Sequence, residues 1–200
     1  MKITEKIKKF ADVFAELPGV GPRQATRLAF YFIHKGKPFL ERTKAALSDL
    51  SEIKICERCF YIHDNGGKLC DICADPERNQ KLIAIVEKET DLLSLEKTRR
   101  FNGRYLILGD LRKTGVLESS QRERLKSLEE FIKNDLTGRA EEIILALNPN
   151  PAADIIADLI REELKPFTSK ITRLGRGLPS GGEIEFADDE TLGAALVRRN

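Results

Sequence analysis

Every cysteine of this 200-residue chain falls in one of two pairs, Cys56-x-x-Cys59 and Cys70-x-x-Cys73, with ten residues between the pairs. Two such pairs bring four thiolates to one tetrahedral centre, which is the donor set a structural zinc ion takes. Asp64-Asn65-Gly66-Gly67 supplies the turn that folds one pair back on the other. One structural Zn(2+) per chain is therefore expected. Sulfur fills all four places and leaves none for an activated water, so the ion should hold structure rather than do chemistry. Disulfides are the alternative for these cysteines, and a cytoplasmic setting disfavours them. His63 lies between the pairs and could replace one ligand, although the reading taken here is a surface histidine of the loop.

A second set of residues bears on phosphate chemistry. Glu87, Gly109-Asp110 and Asn148-Pro149-Asn150 each follow an apolar run. A toprim (topoisomerase-primase) domain places a glutamate after its first strand and an Asp-x-Asp after its third, because magnesium chemistry on phosphates needs several carboxylates on one ion. Glu87 fits the first position. The second reads Asn148-x-Asn150, two amides without the charge to hold magnesium. These residues describe a toprim-like scaffold without strand-cleaving chemistry, in which Glu87, Asp110, Asn148 and Asn150 form a vestigial site or a partner contact. The alternative is a magnesium-dependent nuclease or primase-like enzyme that uses Glu87 with Asp110 or Asp154.

A third stretch, Leu17-Pro18-Gly19-Val20-Gly21-Pro22-Arg23, could hold a phosphate without cutting it. Gly19 and Gly21 permit a tight loop, and the flanking prolines end one helix and open the next. With a helix starting at Pro22, Arg23 and Arg27 stand on one face beside backbone amides that favour anions. This is the helix-hairpin-helix pattern, whose usual contact is the DNA backbone rather than the bases. Charge supports the reading: residues 1–44 hold ten Lys or Arg against four Asp or Glu, which leaves +6. The whole chain carries +2, so the remainder carries −4.

The elements that position these groups follow from periodicity. Ile7, Phe10 and Phe14 mark a first helix and Ala25, Leu28, Ala29 and Phe32 a second, which His34-Lys35-Gly36 stops. A third is expected near Pro38 to Leu50, with Leu40, Leu47 and Leu50 facing inward. So small a core predicts that this end leans on a neighbour or another subunit. Beyond the cysteines, apolar runs at 82–86, 105–108, 143–147 and 171–174 read as strands, alternating with helices at 91–97, 120–133 and 152–164. Alternation of this kind predicts an α/β fold with a parallel sheet covered on both faces and ligands at the carboxyl ends of its strands. The glycine-rich run from Leu174 to Glu183, which includes Arg176, lacks a P-loop arrangement. It leads to an expected short strand at 183–186 and a last helix at 189–198, a tail suited to self-association.

The expected division is thus a hairpin domain at 1–54, zinc knuckles at 55–76, a toprim-like domain at 77–170 and the tail at 171–200. The 41% hydrophobic and 33% charged content suits a folded soluble protein. No run of about 18 apolar residues occurs, and the first residues turn charged too soon for a signal peptide. A cytoplasmic, nucleoid-associated protein without membrane contact is expected.

The order of hairpin, knuckles, toprim-like half and tail resembles the bacterial RecR family of recombination mediators along nearly the whole chain. The carriers are Leu17 to Pro22, both cysteine pairs, Ile85-Val86-Glu87, Leu147-Asn148-Pro149 and Gly177-Leu178-Pro179-Ser180-Gly181-Gly182-Glu183. The resemblance implies a protein without catalysis of its own that forms a ring-like tetramer able to encircle DNA; a homo-tetramer or dimer that binds double- and single-stranded DNA is expected. It implies that such a ring helps RecO-type and RecF-type proteins load recombinase at single-stranded gaps. It also implies that Arg23 and Arg27 line the DNA-facing surface. The spacer between the cysteine pairs is longer than the family's usual one, and the segment from Leu111 to Glu118 is shorter.

Overall fold

Ile7, Phe10 and Phe14 recur at helical spacing and form the inner face of α1 (Glu5–Phe14), which packs on α2 (Pro22–Lys35). Gly36, with φ +80°, turns the chain into α3 (Lys37–Asp49). The centre of these three helices is aromatic. Phe10 stacks on Phe14 at 4.0 Å, and Phe32 meets Phe10 at 5.5 Å and Phe39 at 5.4 Å. Those rings fill the space expected for leucines: Leu40, Leu47 and Leu50 are not inward but 39%, 53% and 63% exposed. Only Ala25 and Ala29 are fully buried in the helices of this part.

The structure, a computed structural model, describes residues 3–111, 115–175 and 177–197. The chain divides into two units, Met1–Ile53 and Lys54–Asn200. Arg176 of the glycine-rich loop, Arg198 at the expected end of the last helix and residues 112–114 lie outside the described residues.

The second unit opens on a short antiparallel pair, β1 (Lys54–Ile55) with β2 (Ile62–His63), followed by the single turn α4 (Asp71–Ala74). Then β3 (Leu82–Val86), β4 (Arg104–Ile107), β5 (Glu142–Ala146) and β6 (Ile171–Arg173) form one parallel sheet in the order β4-β3-β5-β6. Between them run α5 (Glu89–Lys97), α6 (Ser119–Asp135) and α7 (Pro151–Leu164). Alternation along the strands separates two cores. Ile83, Ile85, Ile143 and Leu145 pack against Leu125, Leu128 and Ile132 of α6 and Ile156 and Ile160 of α7. Ala84, Val86, Tyr105 and Ile107 pack against Leu92 of α5 and against Tyr61 and Ile72 of the cysteine module.

The chain runs from β3 to β4 on one side and then crosses back to β5 on the other, so β3 is where the strand order reverses. The loops after β3 and β5 therefore leave the sheet side by side, which is where ligands of such sheets gather. The expected strand at 183–186 is instead a 3-10 turn, Ile184–Phe186, closed by Phe186 N–H to Glu183 O at 3.3 Å and Ala187 N–H to Ile184 O at 3.2 Å. No described strand beyond β6 offers it a ladder to join. The last helix is α8 (Asp189–Val197). Among the described residues no helix is long and apolar enough to cross a membrane.

Candidate functional site

The cysteine spacing works through two tight turns. Phe60, held at φ +63°, lets its N–H reach Cys56 O at 3.0 Å, while Cys56 N–H reaches Tyr61 O at 2.8 Å. Tyr61 N–H also points at Cys59 Sγ, 3.4 Å away. In the second knuckle α4 begins at the second pair, with Ala74 N–H on Cys70 O at 2.9 Å. All four cysteines are free and buried, and their sulfurs lie within 4.8 Å of one another. Zinc–sulfur bonds of about 2.3 Å place tetrahedral sulfurs about 3.8 Å apart. The donor set and its spacing thus fit a tetrahedral metal ion. Four thiols this close cannot all ionise without a cation. Hydrogen bonds from Cys59, Cys70 and Cys73 pull Cys56 well below the usual thiol range, and the bonds to Cys56 push Cys59 and Cys73 above it.

His63 is not a surface residue. Alternation within β2 turns Ile62 outward and His63 inward, where neither ring nitrogen has a hydrogen-bond partner. It stands outside the converging sulfur cluster.

The cysteine module also covers the sheet edge at β4. Ile107 N–H donates to Cys59 O at 2.9 Å, and Arg124 of α6 spans the seam, with its Nη1 on Ile107 O at 2.9 Å and its guanidinium over Phe60 at 4.9 Å. An open edge would otherwise present unpaired backbone groups. Arg104, the first residue of β4, lies over Phe131 of α6 at 3.7 Å. Neither Arg104 nor Arg124 was singled out in the sequence. The available signal was a charged residue abutting an apolar run that must be buried.

At the carboxyl ends of the strands, Glu87 is 6% exposed and Asn148 lies over it. Asn148 Nδ2 donates to Glu87 Oε2 at 2.6 Å, and Leu111 N–H donates to Glu87 Oε1 at 3.2 Å. Asn150 serves its own helix: its Oδ1 accepts from Ala153 N–H at 2.9 Å as the N-cap of α7. Asp110 turns away to Lys88 at 3.2 Å, and Asp154 pairs with Arg173. Glu87 and Asn148 are thus brought together, whereas Asp110 and Asp154 are engaged elsewhere. Among the described residues the cysteines are the one group of three or more His, Cys, Asp or Glu side chains whose ligand atoms converge. Beside Asn148 a cavity of about 500 Å³ opens between Asp91 and Ser94 of α5, Arg173 and Thr191 of α8.

In the first unit the hairpin forms as its glycines require. Gly19 has φ +77°, and Val20 N–H closes the turn on Leu17 O at 3.0 Å. Gly21 is the N-cap of α2 and offers no side chain, Pro22 is its first residue, and no acid stands in its first turn. The opening amides of α2 are therefore left for an external acceptor. Arg23 and Arg27 are exposed beside them. Gly21 has an ordinary φ, and a Cβ there would meet nothing within 4 Å. Among the described residues nothing demands glycine at 21.

Comparison with known proteins matches residues 81–175 to the Toprim domain family and residues 177–200 to the family described as RecR, C-terminal. The chain is 39% identical over 199 residues to Recombination protein RecR of Chloroflexus aurantiacus, covering 98% of this chain and 95% of that protein. It is 37% identical to that of Nocardia farcinica, covering 96% of each, and 34% identical to that of Myxococcus xanthus, covering 98% and 97%.

Proposed function

The chain belongs to the RecR family of recombination proteins, and from that premise we propose that it is a non-catalytic DNA-binding clamp and recombination mediator in DNA repair. In this reading it helps RecO-type and RecF-type proteins load recombinase at single-stranded gaps. The observation that carries the reading is the hairpin: a φ-permissive turn, an uncapped basic helix start and two exposed arginines, which together favour a phosphate backbone over base edges. One hairpin binds DNA weakly. Several copies in a homo-tetramer or dimer share one strand or duplex and gain by effective concentration.

Two further features support it. Asn148, in contact with Glu87, supplies an amide where magnesium chemistry needs charge, which favours a partner-binding role for Glu87, Asp110, Asn148 and Asn150 over cleavage. The metal read at Cys56, Cys59, Cys70 and Cys73 is zinc, one per chain. Bound there, zinc cross-links the two knuckles, and the knuckles in turn cover the β4 edge.

Titration of duplex and single-stranded DNA, with solution mass measured by light scattering, tests the proposal. An oligomer that binds both without cutting either in magnesium supports it. A monomer that leaves both unbound at low salt overturns it.

A further inference from the structure

Arg104 is 2% exposed, and its Nε and Nη1 have no hydrogen-bond partner. A buried guanidinium without counter-charge is strongly disfavoured. The Phe131 ring at 3.7 Å offsets part of that cost by a cation–π contact. Arg58, between the first two cysteines, stands over the same ring at 5.4 Å, but it reaches Asp135 at 4.0 Å. Among the described residues no ion pair joins Arg104 to a carboxylate, which leaves its counter-charge to another kind of group. Asp135 is taken by Arg58, and the thiols of the module packed on β4 are the other kind of group that can carry negative charge. Ile107 N–H on Cys59 O holds the first knuckle against β4, and Arg58, between Cys56 and Cys59, shares the Phe131 ring with Arg104, so Arg104 stands beside the cysteine module.

Four thiolates around a divalent ion make a net dianion, buried like the cysteines themselves. We propose that Arg104 is the buried counter-charge of this metal–thiolate centre, a positioning residue that raises metal affinity and joins the occupied knuckles to the sheet edge. The proposal rests on the zinc reading above. It makes Arg104 and the metal mutually dependent: with the ion in place the guanidinium is paired, and without it the sheet edge carries an uncompensated cation. Second-sphere partners of this kind are commonly worth 10- to 100-fold in metal affinity.

The test compares the full-length chain with Arg104→Met, Arg104→Gln and Arg104→Lys. Zinc affinity is read by competition with a chromophoric chelator, and melting is followed with and without zinc under reductant. Wild type should hold one zinc, Arg104→Met and Arg104→Gln should bind it about 10- to 100-fold more weakly, and Arg104→Lys should lie between. Without zinc the order should reverse, with Arg104→Met melting no lower than wild type. Should Arg104→Met alone fail to fold, Arg104→Gln carries the same comparison. Wild-type affinity in both uncharged variants, a lysine variant no better than they are, or loss of fold in all three assigns Arg104 to packing and overturns the proposal. A wild-type chain that holds no zinc removes the zinc reading and this inference together.

Discussion

Asn148 gives its side-chain amide to the Glu87 carboxylate at 2.6 Å, across the adjacent ends of the parallel strands β5 and β3. Glu87 is buried, so this contact sets what the toprim position can do. A carboxylate facing Glu87 would make half of a magnesium site, whereas an amide satisfies Glu87 and leaves no charge to hold the ion.

Asn148→Asp should therefore set two carboxylates against each other. We expect a loss of about 1–3 kcal/mol at pH 8. The penalty is the repulsion of two ionised groups, so it is present at pH 8 and fades in acid as one carboxyl of the pair takes up a proton. Millimolar magnesium should recover part of the loss in the variant and leave wild type unmoved. Urea unfolding at both pH values checks this, and a variant as stable as wild type at pH 8 contradicts it.

Metal removal should act at one edge of the second unit. The knuckles meet β4 through Ile107 N–H on Cys59 O and through Arg124, which touches both Phe60 and Ile107. Because metal binding at such a site is folding free energy, chelation under reductant should lower the melting temperature by about 10 °C or more. Calorimetry beside metal analysis decides the matter. An unmoved transition in protein shown to have lost its zinc speaks against the role given to the knuckles.

The third prediction concerns acid stability. Arg78 grips Glu96 with both terminal nitrogens, and Tyr105 O–H donates to Glu96 Oε1 at 2.7 Å. Burial alone would raise the Glu96 carboxyl, but the bonds from Arg78 and Tyr105 outweigh it and hold the group below its ordinary value of 4.5. With a depressed folded pKa, the stabilisation is complete above the unfolded value and disappears as pH falls through the folded one, a window below about pH 4.5. Glu96→Gln should cost about 2 kcal/mol at pH 7, and its stability should fall less steeply than wild type below pH 4.5. Equal slopes would remove Glu96 from the acid response.

Much of the fold was legible because its signals are local. Leu82–Val86 is buried on both faces beyond its first residue, and such a strand reads as a continuous apolar run. The cysteine pairs state their geometry in their spacing. What escaped depends on neighbours distant in sequence. Helical periodicity gives α3 an apolar face, but Phe32 and Phe39 already fill the centre, so Leu40, Leu47 and Leu50 are left outside. A two-residue strand such as β2 is too short to show which face His63 takes. Gly103 looked like one glycine among fourteen, yet a Cβ there would collide with the backbone carbonyl of Leu82. Arg104, beside it, reads as the end of a loop until the sheet buries it.

The most direct test of the account is DNA binding by an Arg23→Ala, Arg27→Ala double variant across a range of salt. Both side chains are exposed, so the fold should persist. Each phosphate contact adds about 0.9 to the slope of log affinity against log salt. The account predicts weaker binding to every sequence tested and a slope shallower by about 1–2. A folded variant with wild-type affinity and wild-type salt slope would contradict it.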